Sequence, residues 1–226
     1  GSRMIELFWV GGPLFMLPLM ISSVLVVTIA IERHRRFRLA SVDYEWFLTE
    51  IRGAIQSGGI PSGLEVADQI PGPIAAAWSA GLRSHRYPLA VLREKMDSVS
   101  IAEVQRLEKY LPLVGVIAQV APLIGILGTV WGMIGSFEGV AEGLSSGAGI
   151  NGELLAQGIG QALVTTASGL AVAIPATLLH HWLSHRVDRF IADLDRSRSD
   201  LVEILSASSP RKKTGKPVQD REASVV

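Results

Sequence analysis

The sequence predicts an all-α membrane protein with three transmembrane helices and long cytoplasmic helical extensions. Three observations carry that prediction. First, the 226 residues are 48% hydrophobic with mean hydropathy +0.35, and their apolar residues concentrate in three runs free of Asp, Glu, Lys and Arg. At about 1.5 Å per residue each run is long enough to cross a hydrocarbon core of about 30 Å. Second, the polar stretches between and after the runs carry helix caps, proline starts and helical periodicity, with no strand alternation. Third, a basic cluster closes the first run while an acidic stretch separates the other two, which gives the chain a sidedness.

Taken in order, Gly1 to Arg3 precede Met4 and read as a tag remnant, so that 1–6 form that remnant and a short periplasmic N-terminus. Residues 7–31 are the first span. Pro13 is expected near its helix start and Pro18 is expected to bend it. Glu32-Arg33-His34-Arg35-Arg36-Phe37-Arg38 follows, and by the positive-inside rule this end is cytoplasmic. Residues 32–109 form a cytoplasmic helical region. Ser41 or Asp43 caps one helix, Gly58-Gly59 stops it, and Pro61, Pro71 and Pro73 mark further starts. From Pro88 an amphipathic helix presents Leu89, Leu92, Met96 and Val99 on one face, to serve either an oligomer contact or packing within its own chain. It is expected to run on into the next span with kinks near Pro112 and Pro122.

The second span is 110–137, and 138–153, with three glutamates and no Lys or Arg, is expected to be a short periplasmic loop. The third span is 154–182, charge-free to Leu179 and ending in the interfacial belt His180-His181-Trp182. An amphipathic cytoplasmic helix, 183–205, continues it with Val187, Leu194, Leu201 and Leu205 at heptad-like spacing. The Ser-, Pro- and Lys-rich stretch 206–226 has the composition of a disordered tail. Its basic residues either touch anionic membrane lipids or merely solubilise the chain.

Glycines organise the second span. Gly125, Gly128, Gly132, Gly135 and Gly139 recur at steps of three and four, a bare stripe that suits close helix packing, where van der Waals contact holds backbones together. The third span answers with Gly158, Ala162, Thr166, Gly169, Ala173 and Ala176. The stripe is expected to build an oligomeric ring.

Composition and spacing exclude much chemistry. Net charge is zero, which points to no nucleic acid, and the absence of cysteine removes disulfides and thiolate chemistry. No cofactor is expected. Ser168 has no base in reach, since His180 lies about 18 Å along the helix. His181 and His185 have metal-ligand spacing but lack a third ligand, so no metal site is expected, and the glycine-rich pieces lack the Lys-Ser/Thr of a phosphate loop. The chain therefore does not read as an enzyme. The spans hold hydroxyls and amides but no carboxylate, so a proton relay needs a titratable group from elsewhere. Thr129 and Thr166 either line a wet path, bonding a carboxylate from another chain, or bond the carbonyl one turn back.

APLIGILGTVWGMIGSF, Ala121 to Phe137, and IGQALVTTASGLAVAIP, Ile159 to Pro175, resemble the signature of the MotA/TolQ/ExbB proton-channel family, especially its ExbB and TolQ branch. The three-span layout is similar as well. The resemblance implies a homo-oligomeric, pentameric ring in the bacterial inner membrane. The ring would surround two ExbD- or TolR-like single-span partners, whose aspartate carries the proton, and proton-motive force would then drive a TonB- or TolA-like transducer for protein or substrate transport at the outer membrane. It assigns the pore threonines to Thr129 and Thr166, with Thr165 and Gln161 beside them in the pathway. Many relatives have glutamate where this chain has Gln161, and that departure favours the alternative, a non-conducting scaffold that gathers partner proteins.

Overall fold

The computed structural model describes residues 11–40, 42–147, 149 and 152–208, and those residues contain six helices and no strand. Helix α1, Pro13–Ala40, opens on Gly12, whose φ of +80° suits glycine and whose carbonyl accepts from the amides of Phe15 and Met16. Pro13 takes the first helical position, where no N–H is needed. The helix runs on through the basic cluster to Ala40, because charge marks the edge of an apolar span without breaking its backbone hydrogen bonds. Residues 7–10, expected to open the first span, lie outside the described residues.

Three helices fill the polar region. In α2, Tyr44–Gln69, the Asp43 side chain accepts from the amides of Glu45 and Trp46 at 3.0 and 3.3 Å. The expected stop at Gly58-Gly59 is a kink: Gly59 leaves helical geometry at φ 74°, ψ −168°, and the helix resumes around Pro61. Then come α3, Pro73–Arg83, and α4, Leu89–Glu108. Phe47, Ile51, Trp78, Leu82, Leu92 and Met96 are buried together, with Phe47 edge-on to Trp78 at 5.4 Å between ring centroids. Side chains of this size stabilise by about 1.5–3 kcal/mol each when fully buried. For Leu92 and Met96 the partner is thus their own chain.

The membrane part is α5, Leu111–Ser145, and α6, Gly152–Ser208. The expected continuation of α4 into α5 does not occur. The chain breaks at Lys109, and Tyr110 takes a left-handed φ of 75°. Pro112 sits in the first turn of α5, where its missing N–H costs nothing. At the other end α5 continues past Glu138 and Glu142 to Ser145, so half of the expected loop is part of this helix. No proline intervenes, and the helix takes in Gly139 and Gly143 before stopping ahead of Gly147, whose φ is +72°.

Helix α6 is 57 residues, about 85 Å long, and combines the third span with the bundle's last wall. Leu194 and Leu201 enter the core around Trp78. The Tyr44 hydroxyl bonds the Asp200 carboxylate, Arg196 lies 5.1 Å over the Tyr44 ring, and Arg198 pairs with Asp97 at 3.0 Å. Burial, then the Asp200 hydrogen bond and charge, push the Tyr44 phenol above its ordinary value of 10.0.

Helix α1 closes one flank of the α5–α6 pair. Val26 and Ile29 pack with Val114, Ile117 and Ala176, and Leu19 packs with Ala121 and Ala173. The outer faces expose large apolar side chains such as Leu123, Trp131, Leu163 and Leu178. These suit lipid or neighbouring subunits better than water.

Candidate functional site

Small residues set the distance between α5 and α6. A Cβ placed on Gly125 would lie 3.1 Å from Thr166 Cα and 3.2 Å from Thr165 O, and one on Gly169 would lie 2.6 Å from Ala121 O. At Gly132 it would lie 3.2 Å from Gly158 O, and at Gly128 it would overlap Thr165 Cγ2. Backbone therefore meets backbone along Gly125, Gly132 and Gly169, while Gly128 makes room for the Thr165 side chain, and the partner of this stripe is the next helix of the same chain. Gly135 and Gly139 have nothing within 4 Å of an added Cβ, so these two stand off the seam, which continues through buried Ser136 against Gly158.

In the middle of the seam Thr129 and Thr166 bond to each other through their hydroxyls. Both also reach the Gly125 carbonyl, Thr129 at 3.2 Å and Thr166 at 3.0 Å, and Thr129 lies 3.2 Å from Ala162 O. The bond one turn back is thus present for Thr129, while Thr166 crosses to the other helix. Two hydroxyl protons serve three acceptors: one hydroxyl oxygen, Gly125 O and Ala162 O. Both side chains are half-buried.

Thr165 and Gln161, expected beside them in the pathway, lie elsewhere. Thr165 is fully buried, with its hydroxyl 2.8 Å from Gly11 O and 2.9 Å from Gln161 O. Gln161 is half-buried against Gly12, where an added Cβ would lie 2.6 Å from its Nε2. The reason is helical: one residue turns the side chain by about 100°. Thr166 enters the seam away from α1, while Thr165 and Gln161 face the chain segment that leads into α1.

A second cluster holds the break between α4 and α5. Arg33, fully buried, donates from one terminal nitrogen to Arg106 O at 2.9 Å and Leu107 O at 3.2 Å, and grips Glu32 at 2.6 and 2.9 Å. Its guanidinium stands 5.2 Å from the centre of the Tyr110 ring. The last carbonyls of a helix lack partners within it, and here an arginine from α1 supplies them. Burial opposes ionisation of Glu32, but hydrogen bonds and charge from Arg33 and Arg36 outweigh it and hold the carboxyl below its ordinary value of 4.5. Nothing in a run of four arginines and a histidine distinguishes the one that turns inward. A clue did exist in the absence of a capping glycine after Glu108.

At the same end, His180 packs on α5 where a Cβ on Gly115 would lie 2.9 Å from its Nε2. The His181 ring is 5.8 Å from that of His180, and His34 stacks on Trp182 at 6.1 Å. Among the described residues no group of three His, Cys, Asp or Glu gathers around His181 and His185.

Residues 69–196 match the MotA/TolQ/ExbB proton channel family. The chain is 34% identical over 121 residues to the Tol-Pal system protein TolQ of Haemophilus influenzae, covering 52% of this chain and 51% of that one. It is 35% identical over 126 residues to the biopolymer transport protein exbB1 of Vibrio cholerae, covering 55% and 54%. A putative biopolymer transport protein, ExbB-like 1, of Synechocystis is 29% identical over 204 residues, 84% of this chain and 76% of that one. The chain spans about half the length of the TolQ and exbB1 relatives it matches.

Proposed function

The chain belongs to the MotA/TolQ/ExbB proton channel family, and from that premise we propose that it is the ring-forming subunit of a proton-driven motor in a bacterial inner membrane. In this reading the basic ends of the spans and the helical bundle are cytoplasmic, and the N-terminus is periplasmic. Copies of the chain, five by family resemblance, enclose an ExbD- or TolR-like single-span partner and drive a TonB- or TolA-like transducer.

The observation that supports this most is the hydroxyl pair of Thr129 and Thr166, on the flank of the seam that α1 leaves open, in spans that hold no carboxylate of their own. A carboxylate from the partner supplies the missing titratable group. The shared Gly125 carbonyl makes the exchange inexpensive. With two hydroxyls in reach, either one can turn its proton to the incoming carboxylate while the other keeps Gly125 O satisfied. When the acid is protonated, the same oxygens accept from it. The threonines thus receive both forms of the carrier while Gly125 O keeps a side-chain donor.

The scaffold reading draws on the same pair, because the hydroxyls are satisfied within the chain, and on the neutral Gln161. Proton flux into liposomes separates the two. The motor predicts background flux for this chain alone and flux above background once a single-span partner bearing an aspartate is added. A scaffold gives background in both.

A further inference from the structure

Below the threonines the α5–α6 seam runs on to one titratable side chain. From Thr166 the stripe continues through Gly169, Ala173 and Ala176 to His180, at steps of three, four, three and four. His180 is therefore about 21 Å farther along the same helix face. Between them neither α5 from Leu111 nor α6 to Leu179 offers an Asp, Glu, Lys, Arg or His. The imidazole replaces the small residues of the stripe where Gly115 opens a notch in α5: Nε2 and Cδ2 would lie 2.9 and 3.0 Å from a Cβ there. It is half-buried, whereas His181 beside it is exposed.

Polar side chains mark the same flank on both helices. Thr177 follows Thr166 by eleven residues, about 20° round the helix, and Gln119 stands about one turn above Gly115. Both are exposed, and the Thr177 hydroxyl bonds Ala173 O at 2.8 Å. The charged and titratable groups at this end of the spans belong to α6, α1 and the turn before α5. Helix α6 contributes His181 and Arg186, the latter over Trp182; α1 contributes His34, stacked on Trp182, and Arg33 with Glu32; Lys109 and Tyr110 stand at the start of α5.

We propose that His180 is the proton acceptor at the basic end of the pathway, taking the proton that leaves the threonine site and passing it on to His181 and bulk water. This rests on the reading of Thr129 and Thr166 as that site. The proton arrives through water along the flank marked by Thr177 and Gln119. One ring nitrogen binds it, the other nitrogen releases its own, and the exchange is completed by return to the starting tautomer, with no net change in charge or electrons.

The test is proton flux through liposomes holding the ring with its single-span partner. His180→Phe keeps the Gly115 notch filled and removes the titratable nitrogens. Flux is expected to fall by about a hundredfold, the low end of what a positioned acid–base group contributes. An imidazole bearing a fixed sulfonate charge, which cannot cross the bilayer, is expected to restore it when supplied on the basic side and not when supplied on the opposite side. His180→Phe flux within about twofold of the parent (well short of the loss expected on removing an acid–base group), or a loss that imidazole does not restore, overturns the assignment, the second outcome making His180 a packing residue. A Thr166→Val arm reads the threonine site separately: loss there with unchanged His180→Phe flux leaves the site standing and sinks this proposal alone. A parent complex with no flux overturns both.

Discussion

The hydroxyls of Thr129 and Thr166 bond to each other across the α5–α6 seam, and both lie within 3.2 Å of the Gly125 carbonyl oxygen. The glycine makes this possible. A side chain at 125 would meet the backbone of Thr165 and Thr166, push α6 away and separate the two hydroxyls. Packing and the hydroxyl pair are one arrangement here, and substitutions in the seam are expected to disturb them together.

Gly128→Leu tests the packing half. Its Cβ overlaps Thr165, a β-branched side chain whose hydroxyl is committed to Gly11 O and Gln161 O, so it has little room to turn. The expected loss is about 1–3 kcal/mol, typical of overpacking. Thermal unfolding in detergent, followed by tryptophan fluorescence, is expected to show a lowered midpoint for this variant and none for Gly135→Ala, whose added methyl meets open space. Equal effects at both positions would contradict the seam described here.

Arg33→Met is expected to loosen the junction between bundle and membrane. It strips hydrogen bonds from Arg106 O and Leu107 O, and an unsatisfied buried acceptor costs about 1–3 kcal/mol. Trypsin provides the readout, because Lys109 stands at the break itself. Cleavage after Lys109 should accelerate in Arg33→Met, and less in Arg33→Lys, which keeps a donor but loses the planar fork.

Much of this was legible in the sequence, for identifiable reasons. Uncharged length located the spans, and a sustained three-four glycine spacing located the face that packs. Which helix the stripe would meet was not legible, since periodicity describes one helix and carries nothing about its partner. A ring contact was expected, yet Gly125 to Gly132 meet the same chain. Thr165 and Thr166 are chemically identical neighbours, and only the position of the segment leading into α1 distinguishes Thr165, buried between Gly11 and Gly128, from Thr166, which bonds Thr129. Helix ends were misplaced at Ser145 and at Tyr110 for opposite reasons. Glutamates mark a membrane boundary without ending a helix, and an arginine distant in sequence stabilises a break that no local signal announces.

Acid is expected to weaken the Arg33 junction before it weakens the spans. The Glu32 carboxyl sits below 4.5 in the folded chain, so its contribution is present above its unfolded value and is lost as pH falls through the folded one. Backbone amide exchange at Lys109 and Tyr110, corrected for the intrinsic rate at each pH, should therefore rise as pH is lowered below about 4.5. Glu32→Gln should remove most of that pH dependence. An unchanged acid response in Glu32→Gln would assign it to other groups.

Sidedness follows from the basic cluster after the first span. The chain contains no cysteine, so single cysteines report cleanly. In intact spheroplasts an impermeant thiol reagent is expected to label Ser146→Cys, in the turn after α5, and to spare Ser199→Cys in the bundle. The reverse pattern would invert the membrane orientation.

The most direct test of the central claim is proton flux in liposomes containing this chain and an aspartate-bearing single-span partner, compared between the parent and the Thr129→Val, Thr166→Val double variant. Valine keeps the shape of threonine and removes the hydroxyl, so the glycine seam stays filled while Gly125 O loses both side-chain donors. With ring assembly verified by native mass spectrometry, the double variant is expected to fall to the background of partner-free liposomes, and Thr166→Ser, which keeps a hydroxyl, to retain flux. Full flux from an assembled ring lacking both hydroxyls would contradict the claim that these two threonines receive the proton carrier.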